Sequence, residues 1–555
     1  MTAILYSLVA LVPILVVCVL LVIMRRPASQ AMPIAYGVTL AIAVLIWQVP
    51  AGEVAAASLQ GLVAAAEILY IVFGAILLLN TLQESGALAV IRQSLLGISR
   101  DRRVQVIIIA WLFGSFIEGA SGFGTPAVIT VPLLVAVGFP AVAAILSALI
   151  IQSTPSTFGA VGTPLLIGID SGLAGNPSVE QQLSALGLDQ SAYLAVVGQW
   201  AGVFHGIIGT FLPLVLVITL TTGFGDRSGL RAGLAAWKFA LFAGLAFTLP
   251  YTLTALILGP EFPTLVGGLV GLAIVVPAAR KGFLAPNEPW DFAASRAEPA
   301  SPVAAVAGLS PLAPTLSAAR AWLPYVLLGF FLMLSRLEFL PFRGWLQALT
   351  LTWSGVLGTE VAIRTQPLYL PPTVFMIVVA ITVFLHRMKP AAIAQAIAGT
   401  VPLLQKTALA LGAAVLMARV FINSGVNRAG LASMPLTLAD TLSDLTGQTW
   451  PIFAPWVGMI GSFVAGSVTV SNLMFSLFQF GVALQIATPT ALVLGLQCVG
   501  ASAGNIVCVS NIVAAEATVG LIGREGLLIR KALFPTLYYL LFAGVLGILA
   551  QQVRL

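Results

Sequence analysis

The stretch GSFIEGA at residues 114–120 recurs in similar form as GSFVAGS at residues 461–467. Flanking segments match at nearly the same spacing, namely 74–75 with 412–413, 85–86 with 424–425, and 152–164 with 497–511. Glycine and serine motifs also arise independently where helices pack tightly, but several matched segments favour an internal repeat. The matches predict two related units, at residues 60–170 and 400–516.

The rest of the chain has the composition of a membrane protein. Of its 555 residues, 59% are hydrophobic and 8% are charged, with a mean hydropathy of +1.06, whereas soluble domains carry about 25% charged residues. Uninterrupted apolar runs recur throughout, for example at 5–24, 32–47, 193–220 and 239–258. Continuous apolarity favours helices over the alternating strands of a membrane barrel. We predict an all-α polytopic membrane protein with about 12 to 14 transmembrane helices.

Basic residues prefer cytoplasmic loops, and here they cluster in alternate connections. The connections expected inside the cell are 25–26, 92–103, 227–238, 280–320, 387–389 and 524–531, and those expected outside are 52–53, 170–189, 259–262 and 440–448. By this pattern the core of the first unit begins inside and ends outside, whereas the core of the second begins outside and ends inside. The units are therefore predicted to be inverted repeats, an arrangement of transporters that bind substrate near the membrane midplane.

The longest polar interruption, residues 279–321, is rich in proline, alanine and charge. We interpret it as a cytoplasmic linker between two halves. The predicted organisation is N-terminal transmembrane helices at 1–59, a first repeat core at 60–170, transmembrane helices at 171–278, the linker at 279–321, transmembrane helices at 322–399, a second repeat core at 400–516, and a C-terminal loop and transmembrane helix at 517–555.

Each unit contains breaks where a spanning helix should be deepest in the membrane. Residues 119–126 are too rich in glycine to continue a helix comfortably, and Thr125-Pro126 is suited to begin a new one. Similar helix starts are predicted at Thr163-Pro164, Ser471-Asn472 and Ser510-Asn511. Because helix N-termini bind anions through free N–H groups, these broken or re-entrant helices predict a carboxylate site near the midplane. Ordinary helix kinks are the alternative.

Charged residues inside apolar segments are costly and by default mark function. Glu118 precedes the first glycine-rich break, and we predict that it carries a coupled proton, with His205 as a second candidate. Arg419 is predicted to bind a carboxylate through its guanidinium fork, while Glu67 and Lys406 are interpreted as structural or interfacial. The predicted substrate-binding residues are Ser121, Gly122, Gly124, Thr125, Thr163, Arg419, Ser467, Thr469, Ser471, Asn472, Ser510 and Asn511.

Other classes of function fit the sequence less well. The cysteines, Cys18, Cys498 and Cys508, lack metal-ligand spacing, and no basic stripe with interleaved aromatics indicates nucleic acid. We expect no metal, no cofactor and no nucleic-acid partner. The Gly-x-Ser-x-Gly pattern at 500–504 lies in an apolar segment without the strand–turn–helix context of a hydrolase nucleophile. We therefore predict that the chain is not an enzyme.

The segment GSFIEGASGFGTP at 114–126 closely resembles the glycine-rich signature of the bacterial L-lactate permease family, which includes glycolate permeases. The segment GSVTVSNLMF at 466–475 is similar to the second signature of that family, and ATVGLIGREG at 517–526 also agrees. The chain departs from the family pattern at Val468, where a polar residue is expected. The resemblance implies a proton-coupled carrier of 2-hydroxy-monocarboxylates in the inner membrane.

We therefore predict a multi-pass secondary transporter of the bacterial inner (plasma) membrane that imports L-lactate, D-lactate or glycolate by proton symport. Sodium-coupled mono- or dicarboxylate symport is the first alternative, because the side-chain oxygens of Ser467, Thr469, Ser471 and Asn472 suit a sodium ion. An anion channel is the second. The expected partners are a small carboxylate, protons or sodium, and the lipid bilayer, while self-association into a homo-oligomer stays open.

Overall fold

The computed structural model describes residues 2–24, 26–95, 97–122, 124–225, 229–292, 316–336, 340–521 and 523–552. Over these residues, twelve helices are long and apolar enough to cross a membrane, or thirteen spans if a bent helix pair is counted as one. The long apolar runs made these helices predictable, since each one hides about 20 residues in lipid. The prediction of an all-α polytopic membrane protein with 12 to 14 spans is confirmed.

The α-helices are numbered here in chain order over the described ranges. They are α1 (Thr2–Cys18), α2 (Ala28–Leu45), α3 (Ala51–Glu84), α4 (Ala87–Leu95), α5 (Arg102–Val106), α6 (Ser115–Ala120), α7 (Thr125–Ala136), α8 (Ala141–Ile150), α9 (Gly159–Thr163), α10 (Asp170–Leu173), α11 (Pro177–Leu186), α12 (Gln190–Phe224), α13 (Gly229–Leu234), α14 (Trp237–Ile257), α15 (Pro263–Arg280), α16 (Ala318–Arg336), α17 (Pro341–Gln347), α18 (Pro371–Leu385), α19 (Pro390–Ile422), α20 (Met434–Thr446), α21 (Trp450–Ala465), α22 (Val468–Gln485), α23 (Thr490–Gly504), α24 (Val509–Thr518) and α25 (Glu525–Gln552).

Shorter elements continue or connect these helices. π-Helical turns lie at Val19–Ile23, Ile107–Gly114 and Pro164–Ile169, and 3-10 turns at Ile151–Ser153, Pro155–Phe158, Val356–Gly358, Asn423–Gly425 and Gly447–Thr449. The strands are β1 (Leu351–Trp353) and β2 (Ile363–Thr365).

The first predicted unit, residues 60–170, contains a helical hairpin followed by a broken helix. One continuous helix runs from Arg102 to Ala120, and α7 packs back against it. The helix that begins at Arg102 is capped by Asp101, whose carboxylate accepts a hydrogen bond from the backbone N–H of Arg103 at 2.8 Å. The broken helix consists of Ala141–Ser153 and Pro155–Leu173, which meet at an angle of 61°.

The second predicted unit, residues 400–516, also contains a hairpin followed by a helix break. Helices α21 and α22 form a hairpin that turns at Gly466-Ser467, and α23 and α24 are separated by residues 505–508. Helices α21, α22 and α23 pack against one another. Each unit therefore contains one hairpin turn and one helix break.

Long helices outside the hairpins and breaks support the two units. Helix α3 has 34 residues and packs along α19, which has 33. The two backbones come so close that a Cβ at Gly61 would lie 2.9 Å from the Cα of Leu416. Small residues at such crossings are typical of membrane helices, which associate by close packing without a hydrophobic driving force.

A small β-hairpin between α17 and α18 was not predicted from the sequence. Its strands are antiparallel, with Leu351 opposite Thr365. Val356 and Ile363 pack on Ala56 near the start of α3. Three-residue strands are too short to produce a visible alternation of polar and apolar residues, so residues 322–399 carried no signal of a sheet.

The predicted linker, residues 279–321, lies partly outside the described residues, because 293–315 are not among them. Its first part, residues 279–292, contacts the first unit. The guanidinium of Arg102 forms an ion pair with Asp291 at 3.0 Å, and the Nη2 of Arg103 donates to the carbonyl of Glu288 at 2.7 Å. The start of the linker therefore binds to Arg102 and Arg103, at the N-terminus of the first helix of the hairpin.

Candidate functional site

The two hairpin turns and both helix breaks border one cavity. It has a volume of about 40 Å³ for the centres of water molecules, which is room for roughly three waters. The lining residues are Glu118, Gly122, Gly124, Ser156, Gly159, Ala160, Thr163, Pro164, Gly466, Ser467, Val468, Thr469, Asn505 and Asn511. The structure thus brings together the two segments that recur in the sequence.

The first hairpin turn forms because left-handed glycines follow Ala120. Gly122 and Gly124 have φ values of +59° and +78°, a region that other residues rarely adopt. Helix α7 then begins at Thr125, as predicted, with Pro126 in its first turn. The hydroxyl of Thr125 donates to the carbonyl of Gly122 at 2.7 Å and lies 2.6 Å from the hydroxyl of Ser121. Both hydroxyls therefore stabilise the turn.

The second hairpin turn differs from its prediction. Helix α22 begins at Val468 and not at Ser471-Asn472, because Gly466 adopts φ +73° and ends α21. Ser467 is the N-cap, and its hydroxyl accepts a hydrogen bond from the N–H of Val470 at 3.4 Å. The helix start that was placed at Ser471-Asn472 is therefore wrong by one turn, since a glycine followed by serine in an extended conformation gives an earlier cap.

The break in the first unit is sharp. Ala160, Val161 and Gly162 all have positive φ, at 42°, 57° and 77°, which is strained for a β-branched valine. The chain then resumes a helical path at Thr163-Pro164, in agreement with the predicted start. Ala160 and Thr163 both border the cavity, so the strained segment shapes its wall.

The break in the second unit also differs by a residue or two from its prediction. Helix α24 begins at Val509, after Cys508, so Ser510 and Asn511 lie within its first turn and do not cap it. The Nδ2 of Asn511 donates to the Oε1 of Gln152 at 3.4 Å, which places one break against the other. The hydroxyl of Ser510 lies beside Gly466, where a Cβ would approach it to 2.5 Å.

Glu118 is the only charged side chain among the described residues that line the cavity. It is 4% exposed, and its Oε2 has no hydrogen-bond partner. The side chain of Ser156 faces the carboxyl group of Glu118. Gly159 lies directly against it, since a Cβ there would lie 2.7 Å from Oε1. The acid therefore faces small and neutral groups.

Ser156 and Asn505 were not predicted as site residues. The Nδ2 of Asn505 donates to the hydroxyl of Ser156 at 3.2 Å, and its Oδ1 accepts from Ser462 at 2.7 Å. Both lie in segments that the sequence marks as interrupted or repeated. Their side chains could not be assigned from the sequence, because contacts between the two units depend on the fold.

Several predicted residues stand behind the cavity wall. The Nδ2 of Asn472 donates to the carbonyl of Pro164 at 3.0 Å, which connects α22 to the first unit. The hydroxyl of Ser471 donates to the carbonyl of Gly458 at 2.8 Å. Of the residues predicted to bind substrate, those that line the cavity are Gly122, Gly124, Thr163, Ser467, Thr469 and Asn511.

Arg419 and His205 lie outside the cavity lining. Arg419 is 4% exposed, and neither its Nε nor its Nη1 has a hydrogen-bond partner. Its guanidinium interacts electrostatically with Asp170 and Glu67. His205 is fully buried, and both ring nitrogens have partners. The side chain of Lys406 lies outside the described part of the chain.

The Gly-x-Ser-x-Gly pattern at 500–504 lies within α23. A Cβ at Gly500 would overlap the carbonyl of Pro455, and one at Gly504 would lie 2.5 Å from the carbonyl of Met459. These glycines permit close packing of α23 on α21, so the pattern has a structural explanation without a nucleophile.

Comparison with known proteins identifies relatives along nearly the whole chain. The sequence model of the family described as L-lactate permease matches residues 6–554. The L-lactate permease of Bacillus subtilis is 29% identical over 99% of this chain and 96% of its own length. The L-lactate permease of Escherichia coli K12 is 27% identical over 98% of this chain and 95% of its own. The glycolate permease GlcA of the same strain is also 27% identical, over 98% and 94%.

Proposed function

Because the chain belongs to the L-lactate permease family, we propose that it imports a small 2-hydroxy-monocarboxylate by proton symport. It is a multi-pass protein of the bacterial inner membrane. L-lactate is the first substrate in this proposal, with D-lactate and glycolate next, because its relatives are named for L-lactate and for glycolate. Coupling to protons is argued from the cavity.

The observation that carries the proposal is the charge of the cavity. Glu118 borders it, whereas no lysine or arginine does so among the described lining residues. A carboxylate substrate beside an ionised Glu118 would bring two negative charges together in a dry site, which is strongly unfavourable. A proton on Glu118 removes this repulsion. Substrate and proton would therefore bind together, and the loaded site would carry only the substrate's charge.

The anion needs favourable partners, and helix N-termini supply them without a charged side chain. Helix α22 begins at Val468, which lines the cavity, while α7 begins directly after the lining residue Gly124 and α24 carries the lining residue Asn511 in its first turn. Their N-terminal dipoles and N–H groups attract negative charge. In our proposal the carboxylate lies between these ends. The substrate's contacts would come from the lining residues Gly122, Gly124, Thr163, Ser467, Thr469 and Asn511, and support from Ser121, Thr125, Ser471, Asn472 and Ser510.

Arg419 retains a proposed role in substrate binding outside the cavity. Two of its guanidinium nitrogens lack hydrogen-bond partners although the side chain is buried, so its interaction with Asp170 and Glu67 leaves donors free. A carboxylate passing the interface of α3, α10 and α19 would accept hydrogen bonds from them. In this proposal Arg419 receives the substrate on its path to or from the cavity.

Alternating access would follow from the two units. Each contributes one hairpin turn and one helix break to the same cavity, and the distribution of basic residues among the loops favours opposite orientations of the units. Movement of one unit against its supporting helices would then expose the cavity to either side in turn.

The proposal is tested with the purified chain in proteoliposomes. Labelled L-lactate, D-lactate and glycolate are supplied while an inward proton gradient or an inward sodium gradient is imposed separately. We expect accumulation of at least one of these acids above equilibrium with the proton gradient alone. Accumulation that requires sodium would show that sodium, and not the proton, is the coupled ion. Flux that only dissipates a substrate gradient, without coupling to either ion, would indicate a channel.

A further inference from the structure

His205 lies at the centre of a buried network of neutral hydrogen bonds. Its Nδ1 lies 2.5 Å from the hydroxyl of Tyr539, and its Nε2 lies 2.8 Å from the hydroxyl of Thr157. His205 belongs to α12 and Tyr539 to α25, while Thr157 belongs to the break of the first unit. The ring therefore joins two supporting helices to the segment that borders the cavity.

The network extends to further elements. The hydroxyl of Thr157 donates to the carbonyl of Cys498 at 3.1 Å and lies 2.7 Å from the hydroxyl of Ser502. Cys498 and Ser502 both belong to α23. Tyr539 also contacts the hydroxyl of Thr154 at 2.9 Å, and Tyr251 of α14 donates to the backbone carbonyl of Thr154 at 2.9 Å. The 3-10 turns at 151–158, which precede the strained residues 160–162, are thus hydrogen-bonded to several helices.

The protons of this network fit a neutral imidazole. When Thr157 gives its proton to the carbonyl of Cys498, which can only accept, Nε2 of His205 carries a proton and donates it to Thr157. Nδ1 then accepts from Tyr539, and Tyr539 accepts from Thr154. Every group is satisfied with no charge.

The titratable groups that face the ring are two tyrosines. Tyr539 approaches from α25, and Tyr251 approaches edge-on from α14 with ring centroids 6.1 Å apart. Within the described residues, no carboxylate is a hydrogen-bond partner of His205. An imidazolium would therefore be buried without a counter-charge, which is costly.

The network reaches the cavity through the backbone. Ser156 lies between Pro155, whose carbonyl accepts from Thr264 at 2.8 Å, and Thr157, which His205 holds. The hydroxyl of Ser156 contacts both Glu118 and Asn505. Fixing Thr154 and Thr157 on either side therefore fixes the direction in which Ser156 points.

From this geometry we infer that His205 is a neutral positioning residue, which holds Ser156 against Glu118 and does not itself carry the coupled proton. The inference deepens the proposed function and rests on it. It replaces the sequence-based prediction that His205 takes part in proton coupling. It also gives a role to Tyr539 and Thr157, which no sequence motif marks.

The test compares three variants in labelled-substrate exchange, which needs no ion gradient. His205→Gln keeps a neutral donor and acceptor, whereas His205→Leu keeps bulk without hydrogen bonds, and Tyr539→Phe removes the donor to Nδ1. We expect His205→Leu and Tyr539→Phe each to raise the half-saturating substrate concentration about tenfold, the effect of one lost buried hydrogen bond. His205→Gln should restore most of the affinity and keep the parent's pH profile of proton-driven uptake. The matched control is Tyr538→Phe, which loses a hydroxyl bonded to the carbonyl of Ile208 outside the network and should leave the affinity unchanged.

The double variant His205→Leu with Tyr539→Phe should cost less than the sum of the two single variants, because both changes break the shared hydrogen bond between Nδ1 and Tyr539. The inference is overturned if His205→Gln loses proton-driven accumulation or one limb of the pH profile, or if Tyr539→Phe exchanges like the parent. Should His205→Leu fail to fold, Tyr539→Phe and His205→Gln still decide. A parent protein that exchanges substrate but ignores the proton gradient would count against the proposed function, and the affinities of the variants would still judge His205.

Discussion

Gly159 leaves the space that the Glu118 carboxyl occupies, so the smallest possible enlargement there tests the site. Its φ and ψ of −66° and 157° suit alanine, yet a Cβ would lie 2.7 Å from Oε1 of Glu118. We expect Gly159→Ala to displace the acid and raise the half-saturating substrate concentration in proteoliposome uptake by about tenfold or more. The control is Gly412→Ala, where no atom lies within 4 Å of the added carbon. Parent-like uptake by Gly159→Ala would mean that the position of Glu118 is unimportant.

Arg419→Lys tests the second charged residue. Lysine keeps the charge but loses the planar fork that binds a carboxylate through two bonds, so we expect the half-saturating concentration to rise about tenfold. Arg364→Lys, on an exposed strand residue, is the matched control. An unchanged affinity in Arg419→Lys would make Arg419 a structural residue that balances Asp170 and Glu67.

The sequence predicted where the site lies better than which side chains form it. The recurring glycine motif located both hairpin turns, because glycine and proline act on the backbone locally. Ser156 and Asn505 were not predicted as site residues, because their contact joins the two units and so depends on the fold. The cap predicted at Ser471-Asn472 was wrong because Ser467, just after a left-handed glycine, precedes it.

At the scale of elements, the glycines of α23 decide how closely the second unit packs. A Cβ at Gly500 would overlap the backbone carbonyl of Pro455 on α21, which cannot move away as a side chain could. We expect Gly500→Ala to lower the free energy of unfolding by about 1 to 3 kcal/mol, measured as thermal unfolding in detergent. Gly526→Ala, in the first turn of α25 with open space around it, should be neutral. Equal stability of the two variants would contradict the packing described here.

Long elements were predictable and short ones were not. The spans follow from sustained apolarity, which is a property of many residues in series. The strands at Leu351–Trp353 and Ile363–Thr365 depend on the neighbouring start of α3 for their packing, and the positive φ at Ala160 and Val161 depends on the packing of the whole break. Neither leaves a local pattern.

At the scale of the whole molecule, the opposed orientation of the two units is a prediction that labelling can test. Single cysteines replace the exposed residues Arg100, Gln181, Asp444 and Arg524, which flank the two unit cores. In intact cells a membrane-impermeant thiol reagent should label positions 181 and 444 but reach 100 and 524 only after lysis. The parent chain, with its native cysteines Cys18, Cys498 and Cys508, is the control. Labelling of 100 and 444 from the same side would be incompatible with inversion.

The central claim is that substrate and proton share one cavity through Glu118. The most direct measurement compares Glu118→Gln with the parent in proteoliposomes, by proton-driven accumulation of labelled L-lactate and by exchange without a gradient. Glutamine resembles the protonated acid, so we predict that the variant still exchanges substrate but no longer accumulates it. Glu180→Gln, which neutralises an exposed carboxylate on α11, should behave like the parent in both assays. Accumulation by Glu118→Gln at the parent's level would contradict the account, because the coupled proton would then travel by another group.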